Sequence, residues 1–473
     1  MTEQSSVTVS APGKVLLAGG YLVLEAPNAG CVVAADKRFY TTVNGSENDA
    51  EEVIDIKVTS PQFHSEWNYT FNKSNCCLSP SPSNGSTNPF VEKSLRVCLI
   101  YILESSPSDT TATAPAALDI IIRADNDFYS VLPHLPPDSK KTPAEVAALP
   151  KFLPCPKDPE TGKVVVNKTG LGSSAALTTS LVGSLVHFFK GDSKDEKLSA
   201  IIHNLAQICH CHAQGKVGSG FDVSSVCHGT HVYRRFPKCL LPDLLQQLDQ
   251  FEKDSESKEH AVLAETIKAS VELVPWKDDM VTALNLPADL ELMLADVRGG
   301  SESPSMARTV LKWKASQTES DEVPHWSSLS KLNPKVVELI QSLSAEGSSG
   351  VDYDSLSKLP ASEWPSDKDC PLVSLRDTFL QIRNELRSMG EAAGVPIEPP
   401  PQQELCDATS KLPGVVTALV PGAGGYDAVA CLYINRPEVV TSIGELWSSW
   451  TSPIVCPLAV HADNEGLRLE KDM

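Results

Sequence analysis

Nowhere in its 473 residues does the chain hold the roughly 18–20 consecutive apolar positions that a bilayer span requires, so no membrane partner is expected. The opening, "MTEQSSVTVS", has neither the basic nor the apolar region of an export signal. The closing "LEKDM" carries no prenylation box and no peroxisomal or endoplasmic-reticulum address. A cytoplasmic protein is expected. Cationic charge is also scarce: 40 Lys and Arg stand against 60 Asp and Glu, for a formal charge of −20. A nucleic-acid surface needs a basic face, so no nucleic-acid partner is expected. Any anion site must therefore be built locally, from backbone amides and a few placed lysines or arginines. Thirteen cysteines are present, but without export they read as reduced thiols rather than a disulfide framework. For the same reason the "NYT" at Asn68 and the "NGS" at Asn84 carry no glycosylation reading.

What is present is enough apolar residue, 41%, and enough length for two or three packed domains. No repeat period is visible. "VTVSAPGKVLLAGGYLVLE" predicts two strands around a Pro-Gly turn. Polar, Pro- and Ser-rich stretches follow as loops, and the proline-rich run 133–163 predicts a surface excursion or lid. "VVV" at 164–166 predicts a strand that leads through "NKTGLGSS" into a helix. A second helix, "DEKLSAIIHNLAQICHCHAQ", places Leu198, Ile201, Ile202, Leu205 and Ile208 on one face and stops at Gly215. The first domain is expected to span 1–236 and the second 237–473. The second half reads strand, helices, strand, glycine turn, strand, helix, strand, which is the ferredoxin-like order of an α/β (α+β) protein.

Four stretches carry chemistry. In "KTGLGSSAAL" a glycine loop meets a helix start, where bare N–H groups and the helix dipole favour an anion. The spacing is neither that of a Walker A loop nor of a dinucleotide fingerprint. The alternative is a tight turn whose serines, Ser173 and Ser174, merely cap the helix. In "SAPGKVLLAGG", Lys14 interrupts an apolar strand, and a compact cation suits a transferring phosphoryl group; a solvated lysine is the other reading. In "GSGFDVSS", Asp222 either faces a cleft or caps a helix. In "PGAGGYDAV", three glycines point either to close approach of a ligand or another loop, or to a bulged hairpin. The run Cys209, His210, Cys211, His212 fails as a metal site, because successive residues on a helix point apart. Arg234 and Arg235 read as surface cations; Arg298, before "GGSES", has an anionic substrate as its further option.

Taken in order, "APGKVLLAGGYLVLE", "KTGLGSSAAL", "GSGFDV" and "PGAGGYDA" resemble the GHMP small-molecule kinases, nearly end to end. Within them the resemblance is to the eukaryotic, fungal-like branch acting on a phosphorylated mevalonate, in the route to isoprenoids and sterols. It implies a ribosomal-S5-like N-terminal domain and a ferredoxin-like C-terminal domain, with ATP, Mg²⁺ and the small-molecule acceptor between them. By carry-over Lys168, Gly170, Leu171, Gly172, Ser173, Ser174 and Ala175 would cradle the ATP phosphates, and Ser174 would also offer its hydroxyl to Mg²⁺. Lys14 and Asp222 would be catalytic, and Tyr21, Ser301, Ala423, Gly424 and Gly425 would face the acceptor. Relatives in other branches carry a Gly-Glu-His element where this chain has Gly19, Gly20 and Tyr21, which leaves the contacts there open. Monomer and dimer remain equally open.

An alcohol acceptor must lose a proton and is served by a base. A phosphomonoester, with a second pKa near 6, is mostly dianionic at neutral pH and is not. Its difficulty is anion repulsion, so Lys14 is expected to outweigh Asp222. The competing expectations are a kinase of the same fold for mevalonate or a sugar, a silent relative that senses a metabolite, and the decarboxylase that consumes the diphosphate product.

Overall fold

The computed structural model of the chain describes residues 6–46, 52–105, 115–191, 196–253, 260–273, 276, 280–298, 303–317, 323–345, 350–365, 370–458 and 460–471. Ser301 lies outside the described residues. Among the described residues no helix is long and apolar enough to cross a membrane.

The first sheet begins with a single long strand, β1 (Ser6–Ala18), where a strand pair had been expected. It runs through Pro12 because a bulge at Pro12/Gly13 absorbs the missing N–H, so no turn forms. β1 pairs with β2 (Ala29–Ser46), and the sheet continues through β6 (Ala117–Ala124), β3 (Val53–Ser60), β4 (Ser65–Asn72) and β5 (Cys77–Pro80). Among the described residues only β3 and β6 pair in parallel; the other ladders are antiparallel. β7 (His231–Arg234) joins β2, and β8 (Val281–Ala283) joins β7. The chain then returns from far downstream. β13 (Ala462–Asp463) pairs with β2, and β14 (Arg468–Glu470) pairs with β1, Thr8 lying opposite Glu470. The first sheet therefore draws on residues well beyond 236.

One face of this sheet carries the helices Pro89–Ser105, Ser173–Lys190, Glu196–Ala213 and Phe221–His228. The helix Ser173–Lys190 is buried almost all round, which its small residues permit: Ser180 Oγ sits 2.8 Å from Thr41 Oγ1 on β2. No strand forms at 164–166; the loop there makes single bridges, Lys157 to Val164 and Tyr129 to Lys168. The proline-rich run is packed down, with Val146 buried against Val131 and Cys456, and Ser448 donating to Lys141 O at 3.0 Å.

The second sheet is antiparallel in the order β10 (Val415–Leu419), β11 (Ala428–Ile434), β9 (Leu290–Val297) and β12 (Val455–Leu458). That is the ferredoxin-like arrangement. Trp447, fully buried on the helix Pro437–Ser449, donates to Thr409 Oγ1 at 2.9 Å and fills its core. The amphipathic helix Pro371–Ala393 packs on the helix Trp326–Ser344 beside it. All thirteen cysteines are free thiols, most of them buried.

Candidate active site

The glycine loop closes over the start of the helix Ser173–Lys190. Gly170 and Gly172 have φ of 84° and 82°, where side-chain-bearing residues are strained. Gly172 is the N-cap, and no side chain caps the helix, so the capping role for Ser173 and Ser174 falls away. The N–H groups of Ser173, Ser174 and Ala175 precede the first intrahelical bond, from Ala176 N to Gly172 O at 3.1 Å. They converge with the positive end of the helix dipole, which suits an anion. Buried Leu171 and Ala175 anchor the loop from below, while Lys168 is exposed at its rim.

Lys14 reaches this nest from β1. Beyond Ser10 that edge of β1 has no partner strand among the described residues, and Lys14 N–H donates from it to Leu171 O at 2.9 Å. Its ammonium donates to Gly170 O at 3.1 Å and lies 5.4 Å from the centre of the Phe221 ring. A Cβ on Gly172 would come within 2.7 Å of Lys14 Cε, so the nest and the lysine are fitted to one another. Burial pulls the Lys14 ammonium below the usual lysine range, and the Asp222 carboxylate pushes it back up.

Asp222 is half-buried in the first turn of the helix Phe221–His228. The turn before it is held tightly. Gly220 (φ 85°) would drive a Cβ into Phe236 and Tyr233, and Tyr233 Oη donates to Ser219 O at 2.7 Å. Arg235, expected at the surface, is instead buried and donates to Leu24 O at 2.5 Å and to the carbonyls of Val217 and Gly218. It satisfies backbone oxygens that a turn this compact leaves unpaired. Toward Mg²⁺, the residues present fit: Ser174 Oγ and the Asp222 carboxylate are the oxygen donors a hard cation takes.

Sequence reasoning missed His210. Its Nε2 sits 3.1 Å from Ser174 Oγ, its ring packs 5.6 Å from Phe90, and it is 4% exposed. Burial lowers its pKa, Asp222 opposes the shift, and Lys14, Lys168 and Lys216 add to it. His212, two residues on, faces away and meets Asp249 at 3.2 Å and Glu252 at 3.5 Å, as helical alternation requires. Glu252 is already paired with Arg96 and Lys93, so that cluster is charge-compensated without a metal.

From the second domain, 422–425 docks on the end of β1. Gly422 N donates to Leu16 O at 3.2 Å, and Tyr21 Oη donates to Ala423 O at 2.5 Å. A Cβ on Gly424 would lie 2.1 Å from Ile397 O, and one on Gly20 2.6 Å from Gly422 O. Close approach of the chain's own loops thus accounts for Gly424 and Gly20, whereas Gly422 meets nothing within 4 Å and owes its place to a φ of 69°. Lys14, Asp222 and the nest lie together, while Arg298 is exposed beside β12, its N–H bonded to Ile454 O at 3.0 Å.

The family model for the GHMP kinases N terminal domain matches residues 148–230, which hold both the nest and Asp222. A peroxisomal phosphomevalonate kinase of Arabidopsis thaliana is 35% identical over 98% of this chain and 96% of its own length. A phosphomevalonate kinase of Candida albicans is 34% identical over 91% and 90%. Among solved structures, the Streptococcus pneumoniae phosphomevalonate kinase in complex with phosphomevalonate and AMPPNP superposes with a TM-score of 0.58 at 12% identity, covering 97% of this chain and 100% of that one. The last likeness speaks to the fold. The two sequence relationships run almost the whole length of each partner, and on them the chain belongs to the phosphomevalonate kinase family of the GHMP kinases.

Proposed function

We propose that the chain transfers the γ-phosphoryl group of ATP to the phosphate of (R)-5-phosphomevalonate, giving 5-diphosphomevalonate and ADP. One observation carries the reading: a half-buried lysine and a helix N-terminal amide nest, whose Cβ-free glycine fits that lysine, meet in a chain of strongly negative charge. Such a site exists to hold two anions close together.

The N–H groups of Ser173, Ser174 and Ala175 and the Gly170 and Gly172 backbone bind the nucleotide phosphates. Mg²⁺, held by Ser174 Oγ and Asp222, would supply further neutralisation of phosphate charge. Lys14 Nζ, anchored on Gly170 O, lies where the two anionic groups converge and offsets their repulsion as the acceptor oxygen bonds to phosphorus and the bond to the ADP oxygen breaks. The dianionic acceptor has no proton to lose, so Asp222 acts chiefly by keeping the buried Lys14 ammonium charged. Tyr21 and the 423–425 loop border the acceptor side, and Ser301 is assigned there by motif position. Docking of that loop on β1 excludes water from the transfer.

In this reading the working halves are 1–236 and 237–473, with 462–470 serving the first sheet. The compartment we favour is the cytoplasm, although the Arabidopsis relative is peroxisomal by name; a fluorescent fusion decides between them. The deciding experiment for the reaction is ADP release with ATP and Mg²⁺ in the presence of 5-phosphomevalonate, mevalonate or galactose. Turnover confined to 5-phosphomevalonate is expected, and turnover with either unphosphorylated acceptor alone would sink the assignment.

A further inference from the structure

Ser174 has two ways to serve a nucleotide site. Its hydrogen can go to a phosphate oxygen, or its lone pairs can go to a cation. The surroundings of His210 decide between them. Gln214 Nε2 lies 3.2 Å from His210 Nε2, and Ser174 Oγ lies 3.1 Å from the same nitrogen. An amide nitrogen has only hydrogens to give, so His210 Nε2 is an acceptor and its ring proton sits on Nδ1. That nitrogen has one lone pair, which the Gln214 amide and the Ser174 hydroxyl share, and the Ser174 hydrogen therefore points to it. The lone pairs of Ser174 Oγ are then left to the nest, which already has its own donors for phosphate in the first-turn N–H groups.

We propose that His210 is a positioning residue that takes the Ser174 hydrogen and so commits Ser174 to a divalent cation rather than to a phosphate oxygen. The proposal rests on the nucleotide-site reading above. The means of holding the imidazole are visible. His210 is buried on the helix Glu196–Ala213, Phe90 packs against one face of the ring, and Gln214, one turn on, meets the same nitrogen as the serine. A buried ring so confined cannot rotate to release Ser174, so the serine is oriented before any ligand arrives. The cost of losing it falls on metal affinity and leaves the phosphate-binding amides untouched.

The test is equilibrium binding of AMPPNP to the full chain with and without Mg²⁺, for the wild type, His210→Leu, His210→Asn, His210→Gln and Ser174→Ala. The expected result is that Mg²⁺ tightens wild-type binding. His210→Leu, and His210→Asn with a side chain too short to reach Ser174, lose that enhancement by tenfold or more, as Ser174→Ala does. All three bind metal-free AMPPNP within twofold of the wild type. His210→Gln, whose Oε1 can accept in place of Nε2, keeps the enhancement within about threefold. The Ser174→Ala/His210→Leu double variant is no worse than Ser174→Ala. In turnover, kcat falls while the KM for 5-phosphomevalonate stays put. Full retention of the Mg²⁺ enhancement in His210→Leu and His210→Asn overturns the proposal. So does an equal weakening of metal-free and Mg²⁺-bound AMPPNP, the mark of a merely structural histidine. Failure of the wild type to bind AMPPNP under either condition would bring down the nucleotide-site reading itself, and is told apart by appearing before any substitution.

Discussion

Tyr21 and Ala423 are 402 residues apart in sequence, yet the Tyr21 hydroxyl donates to the Ala423 carbonyl at 2.5 Å. The bond ties the end of β1 to the glycine loop between β10 and β11, and Tyr21 holds a φ of 65° to make it. A buried hydroxyl with one partner contributes on the order of 1 kcal/mol. Tyr21→Phe is therefore expected to lower unfolding stability by about that much. Because the loop borders the proposed acceptor side, the KM for 5-phosphomevalonate should rise several-fold with the KM for ATP unchanged. Urea titration and steady-state kinetics together check this; equal rises in both KM values would argue against a loop-specific effect.

In the mechanism proposed above, Lys14 sets an alkaline limit on the reaction. That mechanism requires its charged form, and burial holds its pKa below the ordinary 10.5, with Asp222 opposing. Activity is thus present below the lowered pKa and lost as pH rises through it, earlier than for a solvated lysine. Removing Asp222 removes the opposing influence. Asp222→Asn is expected to move the alkaline limb of the single-turnover rate to still lower pH, while Lys14→Met loses more rate at neutral pH than Asp222→Asn. An unmoved limb in Asp222→Asn, or a greater loss there than in Lys14→Met, would restore Asp222 as a general base.

Gly172→Ala meets two obstacles at once. At φ 82° a side chain costs about 1–2 kcal/mol. The new Cβ also lies within 2.7 Å of Lys14 Cε, so the lysine must move off its anchor. A loss of kcat of about a hundredfold or more is expected, comparable to removing one preorganised electrostatic group. Gly394→Ala, in the same left-handed region at φ 66° and ψ 34° but with nothing within 4 Å, is the control for backbone strain alone and should leave kcat nearly unchanged.

Asp296 gives a stability signature. It is buried on β9, accepts from Ser130 Oγ at 2.6 Å, and has its pKa raised to about 6, chiefly by burial. An acid raised in the folded state favours folding at low pH, and that contribution is lost as pH climbs through about 6. Asp296→Asn keeps an acceptor for Ser130 and carries no charge. It should be more stable than the wild type at pH 8, by on the order of 2 kcal/mol, with the difference largely gone only near pH 3, below the ordinary carboxyl value of 3.8. Denaturant melts at the two pH values check it, and a pH-independent difference would mean that folding does not raise the Asp296 pKa.

The parts of the fold that sequence made legible are those with local signals. The helix Glu196–Ala213 carries its apolar register and stops just before Gly215, and the 170–175 nest is written in consecutive residues. The ferredoxin-like order survived because each strand there is a contiguous buried run, such as Leu290–Val297. What failed to read depended on distant partners. Pro12 looked like a turn because the bulge that accommodates it is a property of the β1–β2 ladder. Arg235 looked like half of a surface pair because the carbonyls it satisfies belong to Leu24, Val217 and Gly218. His210 was weighed only as a metal ligand; its partner Ser174 lies on another helix, 36 residues away.

The return of residues 462–470 to the first sheet has a consequence for the order in which the protein is made. Gly466 passes so close to the Asp222 helix that a Cβ there would lie 2.1 Å from Cys227 O, Arg38 donates to the Gly466 carbonyl, and Glu470 accepts from Ser10 at 2.5 Å. During synthesis β1 and β2 leave the ribosome long before residues 462–470, which complete one of their edges and seat a proposed catalytic helix. The nascent chain must hold an open β edge until 462–470 emerge, a state in which pairing with other chains is the chief hazard.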